Sequence, residues 1–99
     1  MKRTVRVLRR AQRDLQEIHD YVAIEAAPHA SPLVEGLLEA IESLAQFSDR
    51  GVLPRDEALR QRGFRYLVRR QYLIFYKVLR AQVRVYRVVH GKRAYRDIL

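Results

Sequence analysis

The chain has 99 residues, 48% of them apolar, and a net charge of +9; that is the size of one domain, 1–99, with enough apolar surface for a core and no room for a second. Cysteine is absent, which excludes disulfides, thiolate metal sites and a cysteine nucleophile and points to a reducing cytoplasm. The basic start MKRTVRVLRRAQRD has no apolar stretch behind it, so neither a signal peptide nor a membrane span is expected.

In chain order, residues 3–8 are β-favouring and partly alternating, which predicts a short first strand. Ala11, Leu15, Ile18 and Val22 then fall at helical spacing, with Asp14, Glu17 and Asp20 assigned to the polar side, predicting an amphipathic helix over about 10–25. Pro28 is expected to close it. Ser31-Pro32 reads as the N-cap and first-turn proline of a second helix reaching about Phe47. Its inward residues are Leu33 or Val34, Leu37, Leu38, Ile41, Leu44 and Ala45, and the two helices form an antiparallel hairpin.

Residues 48–63 are irregular, with a turn or two of helix near 56–61. After Gly63 the pattern changes. Residues 64–68, 72–79 and 83–89 are rich in Val, Ile, Tyr and Phe, separated by Arg69-Arg70-Gln71 and Arg80-Ala81-Gln82, breaks of hairpin-loop length. The expected fold is α+β in two layers: an N-terminal strand, an antiparallel helical hairpin, then a three-stranded antiparallel β-meander, in the order β-α-α-β-β-β. In the last strand Arg87 shares a face with Val83, Val85 and Val89. Either a β-bulge re-aims it, or its stem packs while its head reaches solvent.

Charge is sorted by segment. Residues 14–49 hold eight acids and no Lys or Arg, residues 50–99 hold fourteen cations against three acids, and residues 1–13 add six cations. Carboxylates are therefore expected on the outer side of the hairpin, and arginines on an uncovered sheet face and its loops. Such a face attracts phosphate or acidic protein.

Were the attracted phosphate that of RNA, cutting it through its own 2′-hydroxyl would need a base, an acid and cations around the phosphate. His90 is the titrating candidate, although a histidine ending a strand can equally serve by bonding backbone. Arg69, Arg87 and Arg93 could hold a phosphate in their guanidinium forks, and Tyr95 could stack on a base or donate a proton. Arg65, Arg70 and Lys92 complete the candidate target-binding cations. No second acid or base is visible, because the strand after Gly63 supplies arginines but neither glutamate nor lysine. Tyr72 and Tyr76 fall on periodic strand positions and read as packing. His19, His29 and His90 are scattered without a carboxylate cluster, so no metal and no cofactor is expected.

Gly63-Phe64-Arg65, then Tyr72-x-Ile74-x-Tyr76, then Val83-x-Val85-x-Arg87-Val88-x-His90-Gly91-x-Arg93 make a distinctive run. With Asp14-Leu15…Ile18…Tyr21 and the element order, it resembles the RelE/ParE superfamily of type II toxins over nearly the whole chain. The resemblance implies a growth-arresting toxin neutralised by an acidic cognate antitoxin, the two forming a hetero-oligomer. RelE-like members enter the ribosomal A site and cut messenger RNA; ParE-like members inhibit DNA gyrase without being nucleases. In a RelE-like enzyme His90, Arg93 and Tyr95 would be the catalytic residues. The His-Gly-x-Arg ending and the missing second catalytic group favour the ParE-like branch. Ala94 stands where many ParE-like relatives carry aspartate, and Asp97 is a candidate substitute. A generic basic nucleic-acid-binding module is the third reading, weakened by the shortage of exposed aromatic and glycine-rich recognition motifs.

Overall fold

The computed structural model describes residues 2–93, Tyr95 and Leu99; Ala94 and Asp97 lie outside the described residues. The elements are β1 (Thr4–Val7), α1 (Arg9–Ser43), α2 (Glu57–Gln61), β2 (Phe64–Arg69), β3 (Tyr72–Val78) and β4 (Gln82–His90). The fold is α+β, with the helical segment after the first strand and the three-stranded meander at the end. The meander is antiparallel, and β1 adds to it in parallel beside β4, giving the order β1-β4-β3-β2.

The segment α1 is a hairpin drawn into one element. A straight helix would hold His19 and Ser31 about 18 Å apart at 1.5 Å per residue, yet their side chains stand 3.4 Å apart. The fold-back occurs at Ala26, where φ −147° and ψ 58° leave the helical region. The turn is tighter than the sequence led us to expect. The second arm starts at residue 27, so Ser31 and Pro32 lie inside it rather than at its N-cap. Pro28 closes nothing: it sits in the first turn of the new arm, where an N–H has no helical partner to lose.

Ala11 and Leu15 on the first arm and Leu37, Ile41 and Leu44 on the second form the main core. They pack on Leu67, Ile74, Tyr76, Val83, Val85 and Val88 of the sheet. The far face of the sheet is not the bare basic surface expected. Phe64, Phe75 and Val89 are buried there beneath Leu59 of α2, with Tyr95 and Leu99 packed alongside. The reason lies in the alternation itself, which sends apolar side chains to both faces of β2, β3 and β4. Asp56 caps α2 by accepting the Leu59 N–H at 3.1 Å, and so fixes that cover.

A β-bulge resolves the question posed by Arg87. Tyr76 pairs with Val85 and Phe75 with Arg87, so Tyr86 is the extra residue. Beyond the bulge two successive residues, Arg87 and Val88, both engage the helix side: Arg87 reaches Asp14, and Val88 joins the main core. The other half of the expected alternative fails, because the head of Arg87 is buried rather than solvated, with 7% of its surface exposed. Among the described residues, no helix is long and apolar enough to cross a membrane.

Candidate target-binding cleft

The end of β4, the β2–β3 turn and the tip of the helix hairpin meet at one end of the molecule. Tyr21, Val22, His29, Pro32, Leu33, Arg70, Gln71, Tyr72 and His90 line an open cleft of about 580 Å³. A second hollow of about 420 Å³ shares Tyr21, Tyr72 and His90 and extends past Asp14 and Glu17 to Arg93.

The His90-Gly91-Lys92-Arg93 sequence closes on itself. Arg93 N–H donates to the His90 carbonyl at 2.9 Å, and Gly91 N–H donates to the Gln71 carbonyl at 2.7 Å. The second bond ties the β2–β3 turn to the end of β4. That turn contains Arg70 at φ 53°, a left-handed conformation uncommon for a residue with a side chain. A side chain at Gly91 would stand 3.3 Å from the Gln71 carbonyl, so glycine permits this close approach.

His90 is exposed, and its ring lies edge-on to Tyr72 with centroids 5.6 Å apart. Its Nδ1 accepts the Lys92 backbone N–H at 3.1 Å. That bond favours the tautomer of the neutral ring with its proton on Nε2, which makes Nε2 a donor. Tyr72 has its hydroxyl pKa raised, first by burial and second by the neighbouring Tyr21, so it stays a neutral donor at physiological pH.

The predicted site residues separate into five places. Arg70, His90, Lys92 and Arg93 gather at the cleft end, all exposed. Arg69 is exposed on the helix side, its Nη2 only 3.2 Å from where a Gly36 side chain would begin. Arg65 is spent on the chain itself, donating from Nη1 to the Asp49 and Gly51 carbonyls, both at 3.1 Å. Tyr95 packs 4.8 Å from the Phe75 ring on the far face of the sheet, away from His90 and Arg93.

Arg87 is in the interior. Its Nε and Nη2 grip the Asp14 carboxylate at 2.7 and 3.0 Å, a bidentate pair. The same carboxylate accepts the Val88 N–H at 2.9 Å. β1 ends opposite Val85, so beyond that point β4 has no strand on this edge, and Asp14 supplies the missing acceptor. Arg10 approaches from outside at 3.4 Å. Sequence reasoning placed Asp14 on the polar side of the first helix. It is in fact 4% exposed. The spacing Ala11, Asp14, Leu15, Ile18 puts it on the apolar stripe, and an acid on that stripe together with an arginine on an apolar strand face was the available signal.

Among the described residues no group of three His, Asp or Glu side chains could hold a metal ion. The cleft offers hydrogen-bond donors, cations and aromatic edges around a groove, which suits recognition of an anionic or aromatic surface.

Comparison with known proteins agrees with this architecture. Residues 5–95 match the family described as the ParE toxin of the type II toxin–antitoxin system parDE. No curated protein matches the sequence significantly. Among solved structures, the chain is similar to one from the chromosomal ParDE toxin–antitoxin system of P. aeruginosa, with TM-score 0.77 and 21% identity over 92% of this chain and 98% of that one. It is also similar to a chain of the RelBE2 toxin–antitoxin complex from Mycobacterium tuberculosis, with TM-score 0.64 and 22% identity over 91% of this chain and 92% of that one. At these identities the two structures speak for the fold, and the family match, spanning most of the sequence, carries the assignment: the chain belongs to the ParE toxin family of type II toxin–antitoxin systems.

Proposed function

We propose that this toxin arrests growth by binding and inhibiting DNA gyrase, and that a cognate antitoxin neutralises it. The observation that carries the reading is that, among the described residues, no base is hydrogen-bonded to an acid at the cleft: Asp14 and Glu17, which line its second hollow, are held by Arg87 and Arg10. His90 presents a donor nitrogen, since its acceptor is engaged by the Lys92 N–H, and Tyr95 packs across the sheet against Phe75. A nuclease cutting through a 2′-hydroxyl needs a base beside its acid, whereas a binding surface needs only complementary shape and charge. The ParE family match supports the same side.

An antitoxin partner is supported by the two similar structures, both from toxin–antitoxin systems. The hairpin tip offers it a seat, with Tyr21 and Ile24 exposed at 75% and 81%, well placed for the apolar residues of an acidic segment.

Gyrase supercoiling and ribosome-dependent messenger RNA cleavage, assayed side by side with the purified toxin, test the proposal. The expected result is loss of supercoiling with intact messenger RNA. Cleavage in the ribosomal A site, abolished by His90→Ala or Arg93→Ala, would replace it with the RelE-like reading.

A further inference from the structure

A second arrangement of cations lies away from the cleft. Val5, Val7, Tyr76, Val83 and Val85 turn toward the helix arms, so Arg6, Lys77 and Arg84 between them turn to the far face. Register sets these three side by side, with Arg6 opposite Arg84 and Arg84 opposite Lys77. Adjacent strands lie about 4.8 Å apart, so the three cations form a line about 10 Å long across the sheet. Like charges directly opposite one another destabilise a sheet. Among the described residues, no carboxylate pairs with any of the three.

Neighbouring groups position the row instead of neutralising it. Arg84 Nε donates to the Gln82 side chain at 2.7 Å. Lys77 Nζ stands 4.6 Å from the Phe64 ring centroid and 5.0 Å from that of Tyr86. Those two rings meet edge to face at 5.2 Å, and the Arg62 guanidinium lies 5.1 Å from Phe64.

We propose that this row grips the phosphate backbone of duplex DNA. The inference rests on the gyrase reading and deepens it, since gyrase holds a DNA duplex while it works and a bound toxin could clasp the same segment. Three features select a duplex. The charges form a line, as a backbone does, rather than a ring around one phosphate. Phe64 and Tyr86 are occupied by each other and by Lys77, so they offer no free stacking platform of the kind single-stranded nucleic acid uses. None of the large apolar side chains exposed among the described residues lies on β1, β3 or β4, whereas a protein partner would need apolar anchors beside the charges. Binding should be independent of sequence, because phosphate contacts position without specifying.

The test is fluorescence anisotropy of the full chain with a labelled duplex across a salt series, run beside a supercoiling assay. Three phosphate contacts contribute about 2.7 to the log–log salt slope. The variant carrying Arg6→Gln, Lys77→Gln and Arg84→Gln should lose that much slope, so its deficit against the native chain shrinks about 40-fold between roughly 50 and 200 mM salt. Arg6→Gln alone, at an exposed edge position, should lose about 0.9. Lys77→Arg should keep the native slope. An unchanged slope in a triple variant with native circular dichroism overturns the inference, as does tighter binding of single-stranded RNA than of the duplex. Supercoiling inhibited without DNA binding sinks the row and leaves the gyrase reading standing. Row-dependent DNA binding without inhibition does the reverse.

Discussion

Asp14 and Arg87 are each less than a tenth exposed, and each satisfies what the other would otherwise leave buried and charged. Removing one partner of such a pair typically costs about 3–5 kcal/mol, whereas replacing both with apolar residues of similar size is often nearly neutral. We therefore expect Asp14→Ala and Arg87→Met each to lower the urea midpoint sharply, in a domain whose total stability is of order 5–15 kcal/mol. The combination Asp14→Leu with Arg87→Met should recover much of the loss. Strict additivity of the single effects would refute a coupled pair. A loss of toxicity in Arg87→Ala would therefore report the broken buried pair rather than a lost target contact.

Tyr76 makes a second residue-scale case. Its side chain is fully buried and its hydroxyl accepts the Gly51 N–H at 2.9 Å. A side chain at Gly51 would begin only 2.2 Å from that hydroxyl, so this loop needs glycine. Burial is the main cause that raises the Tyr76 pKa above its ordinary value of 10.0. The native state therefore holds its proton longer than the unfolded chain does. Stability contributed here is complete below about pH 10 and declines as pH rises through the folded value, with Tyr72 acting in the same direction. Tyr76→Phe should cost about 1–3 kcal/mol at neutral pH by orphaning the Gly51 N–H. Urea melts at pH 8 and pH 11 should show the gap to the native chain narrowing; a gap that widens contradicts the assignment.

At the scale of elements, the order of strands and helices was legible because periodicity changes visibly at Gly63 and because two apolar stripes flank the prolines. What stayed hidden were the joints. The hairpin turns at Ala26, two residues before the proline that seemed to end the helix, since proline is tolerated in a first turn as well as after a last one. Nothing local predicts that β1 pairs in parallel with β4, as that contact spans most of the chain. The His90-Gly91-x-Arg93 motif was visible as a pattern, but its hydrogen bond to Gln71 is a tertiary fact. At five residues α2 is far shorter than α1, and its cap is its main local support. Asp56→Ala should cost about 1 kcal/mol and loosen Leu59 from Phe64 and Phe75. Hydrogen exchange should then quicken at residues 57–61 while β3 keeps its protection; protection lost equally everywhere would contradict a local role.

For the whole molecule, the segmental sorting of charge becomes a spatial sorting only in part. Seven of the eight acids in residues 14–49 are exposed, the exception being Asp14. Among the cations, Arg70, Lys92 and Arg93 lie at the cleft end and Arg6, Arg84 and Lys77 in the far-face line, while Arg65 and Arg87 serve the fold itself. Binding of an acidic antitoxin should combine two terms: charge attraction at the cleft end, screened over about 8–10 Å at physiological salt, and burial of the apolar hairpin tip around Tyr21 and Ile24, which salt does not weaken. The two can be separated by titrating antitoxin into the toxin at rising salt. Affinity should fall and then level off at a plateau, and the plateau, unlike the initial slope, should drop in Ile24→Ser. Replacing Arg70 and Lys92 with Gln should flatten the slope and spare the plateau. Affinity indifferent to salt would remove the electrostatic term, and a plateau untouched by Ile24→Ser would place the apolar contact elsewhere on the toxin.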